Sequence, residues 1–294
     1  MRPKSASFRR NLSGIVLIAP AITLIVLFML VPGLIALLGS LFDISLHQGV
    51  RWEWAGLDNY RSIFTDEDVV LSLRNTVIYT AVTLIPSLFI GLGLAVLVSN
   101  ISRGRRTVQV LLFLPFAANL VAMAVVFRWL FSLHGGFVNE LLAILTVSPI
   151  NFLGDERFSL LTVALVGIWR NTSLATVIFL GGLTSIPKSI HEASAADGVT
   201  GFRKLTAVIL PLLKPFTVFV VVMLLLQSVQ VFDTIDVMTG GGPLSSSETV
   251  LTMVWRLGME ELKFGQATAL SSILLVVLVG VGIIRRQQLS GGTS

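Results

Sequence analysis

Six long apolar stretches, separated by polar and glycine-rich segments, run through the chain at about residues 14–41, 76–98, 108–131, 159–182, 214–237 and 266–284. Each is close to the roughly 20 residues with which a helix crosses about 30 Å of hydrocarbon, so the pattern predicts six transmembrane helices. The segments between them differ in kind. Those at about 42–75, 132–158 and 238–265 hold Gly, Pro, Asn, Trp and most of the acids, and predict modest caps with no separate soluble domain. The segment 99–107 is a short basic turn, whereas 183–213 is too long for a turn and shows helical organisation. The expected organisation is a tail at 1–13, a six-helix membrane domain at 14–284 and a second tail at 285–294.

Composition agrees with the pattern. Of 294 residues, 54% are hydrophobic and 13% charged, against about 25% charged in a soluble domain. The mean hydropathy is +0.88. This composition is that of a polytopic membrane protein. The first stretch follows Arg2, Lys4, Arg9 and Arg10, as a signal peptide would, but its apolar run far exceeds the 7–15 residues of a signal h-region and predicts a retained span. Without cysteine there can be no disulfide, thiolate metal site or cysteine nucleophile.

Charge distribution sets the orientation. A formal charge of +5 could suggest a nucleic-acid partner. With the N-terminus inside, however, 13 of the 21 Lys and Arg residues fall in the inner segments, among them Arg103, Arg105, Arg106, Lys188, Arg203, Lys204, Lys214, Arg285 and Arg286. Of the acids only Glu192 and Asp197 lie there. By the positive-inside rule both termini are cytoplasmic, and the basic excess is a topology signal that leaves no place for nucleic acid.

Within 183–213, Pro187 suits a helix start, Lys188 to Ala196 is helix-permissive, and Gly198 can take the left-handed conformation that ends a helix. Thr200 can cap a second short helix through Leu210, interrupted by Pro211. Two short helices joined by a glycine predict either a docking element, whose small residues Ala193, Ser194, Ala195 and Ala196 admit a close partner surface, or an amphipathic pair resting on lipid headgroups.

The segment Glu192-Ala193-Ser194-Ala195-Ala196-Asp197-Gly198, followed after nine residues by Val208-Ile209-Leu210-Pro211, resembles the EAA loop of permease subunits of binding-protein-dependent ABC importers. That pattern runs Glu-Ala-Ala, three residues, Gly, nine residues, Ile, any residue, Leu-Pro. Ser194 and Val208 are small departures from it. Gly56-Leu57-Asp58-Asn59-Tyr60, Leu73-Arg74-Asn75-Thr76, Phe113-Leu114-Pro115, Trp169, Phe232-Asp233 and Thr239-Gly240-Gly241-Gly242-Pro243 also resemble the sugar-type branch, which includes the maltose and glycerol-phosphate permeases.

The resemblance implies an all-α type I ABC importer permease fold in the bacterial inner membrane. Its EAA segment is a cytoplasmic coupling helix that sits on an ATPase subunit, with Glu192, Ala193, Ser194, Asp197 and Gly198 transmitting ATP-driven closure. The implied partners are a second, homologous permease, an ATPase dimer, a solute-binding protein and membrane lipid. ATP and magnesium belong to the ATPase subunits, and no cofactor is expected on this chain. The transported solute is expected to be a sugar, sugar alcohol, oligosaccharide or glycerol-phosphate-like compound.

Other residues bear on alternatives. No G-x-x-x-x-G-K-[ST] phosphate loop occurs, and Gly240-Gly241-Gly242 leads into Pro243 as a turn. His47, His134 and His191 are scattered, which predicts neither a metal site nor a catalytic constellation. Trp54, Trp129 and Trp255 read as interface-belt aromatics. An ion-coupled secondary transporter would need several midplane charges and an internal repeat, and a membrane scaffold would need no matched coupling loop. Arg170 is the one midspan cation, beside Trp169, Asn171 and Thr172, and must face a cavity or a partner. It can pair with Asp233 or with a partner's acid, bond sugar hydroxyls, or hold a phosphate. Aligned on the maltose-type permeases, the substrate path is implied at Gly167, Arg170, Asn171, Leu224, Gln227, Ser228 and Val231. Gln230 can bond across helices.

Overall fold

The computed structural model describes residues 17–45 and 51–290; the expected tail at 1–13, the start of the first apolar stretch, His47 and residues 291–294 lie outside this range. Two compact units divide the chain, Met1–Thr65 with Val254–Leu275 and Asp66–Met253 with Val276–Ser294.

In the first unit, helix α1 (Leu17–Gly39) contains a π turn at Val26–Leu30, and no residue of its apolar window is buried. A short antiparallel ribbon follows, β1 (Phe42–Ser45) with β2 (Arg51–Trp54), which pairs Phe42 with Trp54. Edge-to-face contacts of Phe42 with Trp52 and Trp54, at 5.6 and 5.2 Å between ring centroids, hold the ribbon. This ribbon departs locally from an otherwise helical fold among the described residues. Helix α2 (Asp58–Thr65) follows. Its buried Asn59 donates to the carbonyls of Ser40 (3.0 Å) and Phe42 (2.9 Å), satisfying backbone where α1 gives way to the ribbon.

The second unit contains α3 (Glu67–Ser99), α4 (Arg105–Ala117), α5 (Leu120–Leu130), α6 (Phe137–Ile144), α7 (Ser159–Ser185), α8 (Lys188–Ala196), α9 (Gly201–Val229) and α10 (Asp233–Met238). Helices α11 (Val250–Trp255) and α12 (Phe264–Ser290) complete the order. The axis of this unit is α7, whose apolar window is 67% buried against 28% for α3 and 17% for α9. Glycines let the backbones meet. A Cβ on Gly91 of α3 would come to 2.5 Å from Ala175 Cβ of α7, and one on Gly182 of α7 to 2.8 Å from Leu213 and Phe216 of α9. Small residues at such crossings are what helix association in lipid requires, because lipid tails are as apolar as leucine and only close packing favours the pair. Phe179, Leu213, Val220 and Leu224 fill one core around these crossings, and Met123, Val163, Val166 and Ile235 fill another toward the N-terminal half of α7.

Three helix expectations change. The third apolar stretch is two helices bent by 92°: Pro115 closes α4, Ala118 is extended, and Asn119 restarts the chain by accepting the Ala122 N–H (3.0 Å) on its side chain. The fifth stretch does not continue to 237, because α9 ends at Val229 and the chain breaks over Gln230 to Phe232 before α10. The expected short helix from Thr200 to Leu210 is the first part of α9 itself. A π turn at Leu205–Ile209, in which the Leu210 N–H reaches Leu205 O, admits Pro211 without ending the helix.

Among the described residues four helices are long and apolar enough to cross a membrane, or five if α4 and α5 form one span; the apolar part of α12, Phe264–Gly280, is shorter.

Candidate functional site

The break between α9 and α10 opens one side of a cleft. Along α7, Val166, Gly167, Arg170 and Asn171 form one wall. Facing them are Gln227, Gln230, Val231 and Phe232 at the end of α9, with Asp233 and Thr234 opening α10. Tyr79 of α3 and Leu120 and Met123 of α5 complete the lining. The helix breaks therefore do the placing: Asn119 turns α5 in from one side, and the irregular backbone at residues 230–232 brings Asp233 in from another. Irregular backbone at membrane depth is tolerated where it lines such a cavity.

Hydrogen bonds run beneath the cleft with a definite direction. The Thr83 hydroxyl donates to Tyr79 O (2.7 Å), so the Ser228 hydroxyl is the donor in its 2.8 Å contact with Thr83, and Asn171 Nδ2 donates to Ser228 Oγ (3.4 Å). Three helices are thereby joined by one polar chain. The Tyr79 hydroxyl and Thr234 line the same cleft. Gly167 makes room for that hydroxyl, since a Cβ there would collide with it and reach 3.0 Å from Thr83 Cγ2.

Arg170 is the exception to this satisfied network. Among the described residues it forms no ion pair, and its Nε is buried with no hydrogen-bond partner. Its guanidinium carbon lies 5.1 Å from the centroid of the Phe116 ring, a cation–π contact that supports the group and leaves its donors unused. Asp233 acts on it electrostatically from the opposite wall without pairing.

Of the implied substrate-path residues, Gly167, Arg170, Asn171, Gln227 and Val231 line the cleft. Ser228 lies behind it in the polar chain, and Leu224 is fully buried in the apolar core, away from it. Sequence reasoning missed Tyr79, Leu120, Met123, Phe232 and Thr234 and gave Gln230 only a cross-helix bond. For Tyr79 the available signal was its i, i+4 spacing to Thr83 on one face of the second stretch.

The residues expected in the coupling loop lie apart from this cleft. In α8, Glu192 and Ala193 are exposed, as are Asp197 and Gly198 just after it, whereas Ser194 points inward and its hydroxyl donates to His191 O (2.9 Å). Ser194 is therefore not part of the small-residue face expected of it. Gly198 has φ +70°, the left-handed turn expected there, and Thr200 holds the N-cap position of α9 without a side-chain capping bond. At the triple-glycine turn, Gly240 and Gly241 have φ +59° and +80°, and Ser247 closes it by donating to Gly242 O (2.7 Å). Among the described residues no His, Asp or Glu group is arranged to hold a metal.

The sequence profile of binding-protein-dependent transport system inner membrane components matches residues 87–288. The chain is 32% identical over 286 residues to the sn-glycerol-3-phosphate transport system permease protein UgpA of Yersinia pestis, covering 97% of this chain and 96% of that one. It is 31% identical over 267 residues to the sulfoquinovosyl glycerol transport system permease protein SmoG of Agrobacterium fabrum, at 91% and 87% coverage. With the trehalose/maltose transport system permease protein MalF of Thermococcus litoralis it shares 27% identity over 284 residues, at 94% and 93% coverage. The fold is similar to a chain of a bacterial ABC transporter involved in the import of the acidic polysaccharide alginate, with a TM-score of 0.85, 21% identity, and 98% of this chain and 99% of that one covered.

Proposed function

The chain belongs to the family of binding-protein-dependent transport system inner membrane components, and we propose that it forms half of the pore through which an ABC importer passes a sugar or related polyol. The observation that carries this reading is the cleft. Arg170, Asn171, Gln227 and Gln230 offer donors and amide carbonyls, and Asp233 offers a carboxylate, within one concave wall. A hydroxyl both donates and accepts, so a polyol matches such a mixed set where a hydrocarbon or a simple ion does not. The sugar and glycerol-phosphate relatives point the same way.

In this reading α1, α3, the bent α4–α5 pair, α7, α9 and α12 are the six spans, with both termini cytoplasmic. The exposed residues Glu192, Ala193, Asp197 and Gly198 form the coupling surface for an ATPase subunit. A second permease closes the other half of the cleft, and a solute-binding protein delivers the solute from outside. ATP and magnesium are held by the ATPase dimer, and this chain binds neither. Closure of the dimer moves α8, the short passage into α9 carries that motion toward Gln227 and Gln230, and the cleft exchanges access between the two sides. Each ligand drives the cycle only by binding one global state better than another.

The test is stimulation of ATP hydrolysis by the binding protein in the reconstituted complex, across neutral sugars and phosphorylated polyols, for wild type and Arg170→Ala. A neutral sugar that stimulates wild type and loses at least about tenfold in apparent affinity on Arg170→Ala, or about 1.4 kcal/mol, places Arg170 on the solute. Stimulation confined to phosphorylated compounds and abolished by Arg170→Ala, with assembly intact, assigns Arg170 to the anion. Stimulation that Arg170→Ala leaves unchanged for every solute removes Arg170 from the path, and no stimulation by any polyol rejects the solute class.

A further inference from the structure

A second cavity, larger than the cleft and distinct from it, lies where α3, α4, α7, α8 and α9 converge. Arg105, the first residue of α4, Lys188, the first of α8, and Lys204 of α9 face it together with His191, and none of its lining residues is an acid. Among the described residues neither Arg105, Lys188 nor Lys204 forms an ion pair. Arg105 Nε is buried with no hydrogen-bond partner, and Lys204 reaches only the carbonyl of His191, at 3.4 Å. Val96, Leu183 and Ile209 give the same cavity an apolar wall.

Three cations gathered in a concavity without a carboxylate raise the local concentration of anions, and a guanidinium fork beside two ammonium groups matches the oxygens of a phosphate. We infer that this cavity binds a phosphate-bearing ligand, with Arg105, Lys188 and Lys204 as its ligands. Two sources share that chemistry: the headgroup of an anionic phospholipid, whose acyl chains the apolar wall would accept, and a free phosphorylated solute. Because the three cations come from α4, from α8 and from the start of α9, a ligand held by all of them ties the α8 segment to the membrane helices. That consequence rests on the coupling role proposed for α8; the binding itself does not.

The experiment uses the whole complex in nanodiscs and reads binding without ATP turnover. In the lipid arm, native mass spectrometry counts phosphatidylglycerol retained from mixed phosphatidylcholine–phosphatidylglycerol discs. In the solute arm, calorimetry in pure phosphatidylcholine discs follows glycerol 3-phosphate and inorganic phosphate. Wild type is expected to bind in at least one arm, and Arg105→Gln with Lys188→Gln and Lys204→Gln to weaken it at least about tenfold, the loss of roughly one charge-assisted contact. Arg106→Gln, a neighbouring exposed cation outside the cavity, is expected to leave it unchanged. Should the triple variant fail to assemble, Arg105→Lys alone keeps the charge and removes the fork, and is expected to weaken binding measurably in the same arm. Lipid retention identifies the headgroup, and binding in the solute arm alone identifies the free phosphate. No binding to wild type in either arm, or binding that the cavity variants leave intact, overturns the inference. The family reading fails by a different result, the absence of polyol-stimulated hydrolysis, so the two failures are separable.

Discussion

Around Tyr79 and Thr83 the α3–α7 pair borders the cleft and is tied by hydroxyls and an amide; twelve residues after Tyr79, at Gly91, the same two helices meet backbone to backbone. At a rise of about 1.5 Å per residue the two regions are about 18 Å apart along α3. The apolar region contains Phe179, Leu213 and Leu224 at full burial and no helix break. Two breaks, an unpaired cation and the directed chain from Asn171 to Tyr79 are concentrated in the polar region. The difference teaches how a membrane protein can keep polar chemistry in an apolar solvent. Close packing in one stretch of a helix pair fixes the helices so rigidly that the other stretch can be opened and irregular. At Arg170 the cost of an unsatisfied polar group falls where a ligand can meet it.

If that division holds, the largest effect belongs to the apolar region. Gly91→Leu places its Cβ 2.5 Å from Ala175 Cβ and 3.2 Å from the Thr176 nitrogen, so the helices must part. Overpacking of this kind costs about 1–3 kcal/mol and often more where backbone is the obstacle. The expected result is loss of assembled complex, or a thermal midpoint several degrees lower in detergent. Gly93→Leu is the control, because nothing lies within 4 Å of a Cβ there. Equal melting of the two variants would show that α3 and α7 are not locked at Gly91.

An intermediate effect is expected where the polar chain crosses between helices. Ser228→Ala leaves the Asn171 amide without its acceptor and Thr83 without the hydroxyl that donates to it. Cross-helix hydrogen bonds in membranes average about 0.6 kcal/mol with a maximum near 1.7, so the variant should lose about 1 kcal/mol. A double-mutant cycle with Thr83→Val measures the shared part directly. A coupling energy indistinguishable from zero would mean that the two hydroxyls act independently of one another.

The sequence made one of these regions easier to see than the other. Continuous apolar runs marked the helices, and the spacing from Glu192 to Gly198 and on to Pro211 marked the segment proposed for coupling, because a left-handed turn and a proline leave local signatures. Arg170 also stood out, since a midspan cation is costly anywhere except at a cavity or a partner. Helix breaks were harder to foresee. In the third stretch the signal was Asn119 four residues after Pro115, a capping residue following a helix breaker, and hydropathy alone smoothed over it. In the fifth, Gln230 and Asp233 were visible as polar residues, but nothing local showed that the helix ends between them. Leu224 and Ser228 share a helix face with Gln227 and were drawn into the path by alignment. Only packing distinguishes a residue that lines the cleft from one that supports it. The ribbon had a faint period-2 trace in Arg51-Trp52-Glu53-Trp54, too short to outweigh the prevailing helical pattern.

The smallest expected effect on stability, and the sharpest test of the division, comes from Gly167→Ala. Its Cβ would meet the Tyr79 hydroxyl and lie 3.0 Å from Thr83 Cγ2, both ends of side chains and neither of them backbone. Tyr79 can therefore swing about its χ angles at a cost of about 0.5–1.5 kcal/mol if it leaves its preferred rotamer, and the α3–α7 crossing at Gly91 need not move. Melting should change little, whereas the Tyr79 hydroxyl is displaced and the wall facing Arg170 is reshaped. In transport assays the apparent KM should rise several-fold at unchanged complex yield. A variant that instead melts like Gly91→Leu would show that Gly167 belongs to the packing that holds the helices together, and that the cleft begins further along α7 than Arg170 suggests.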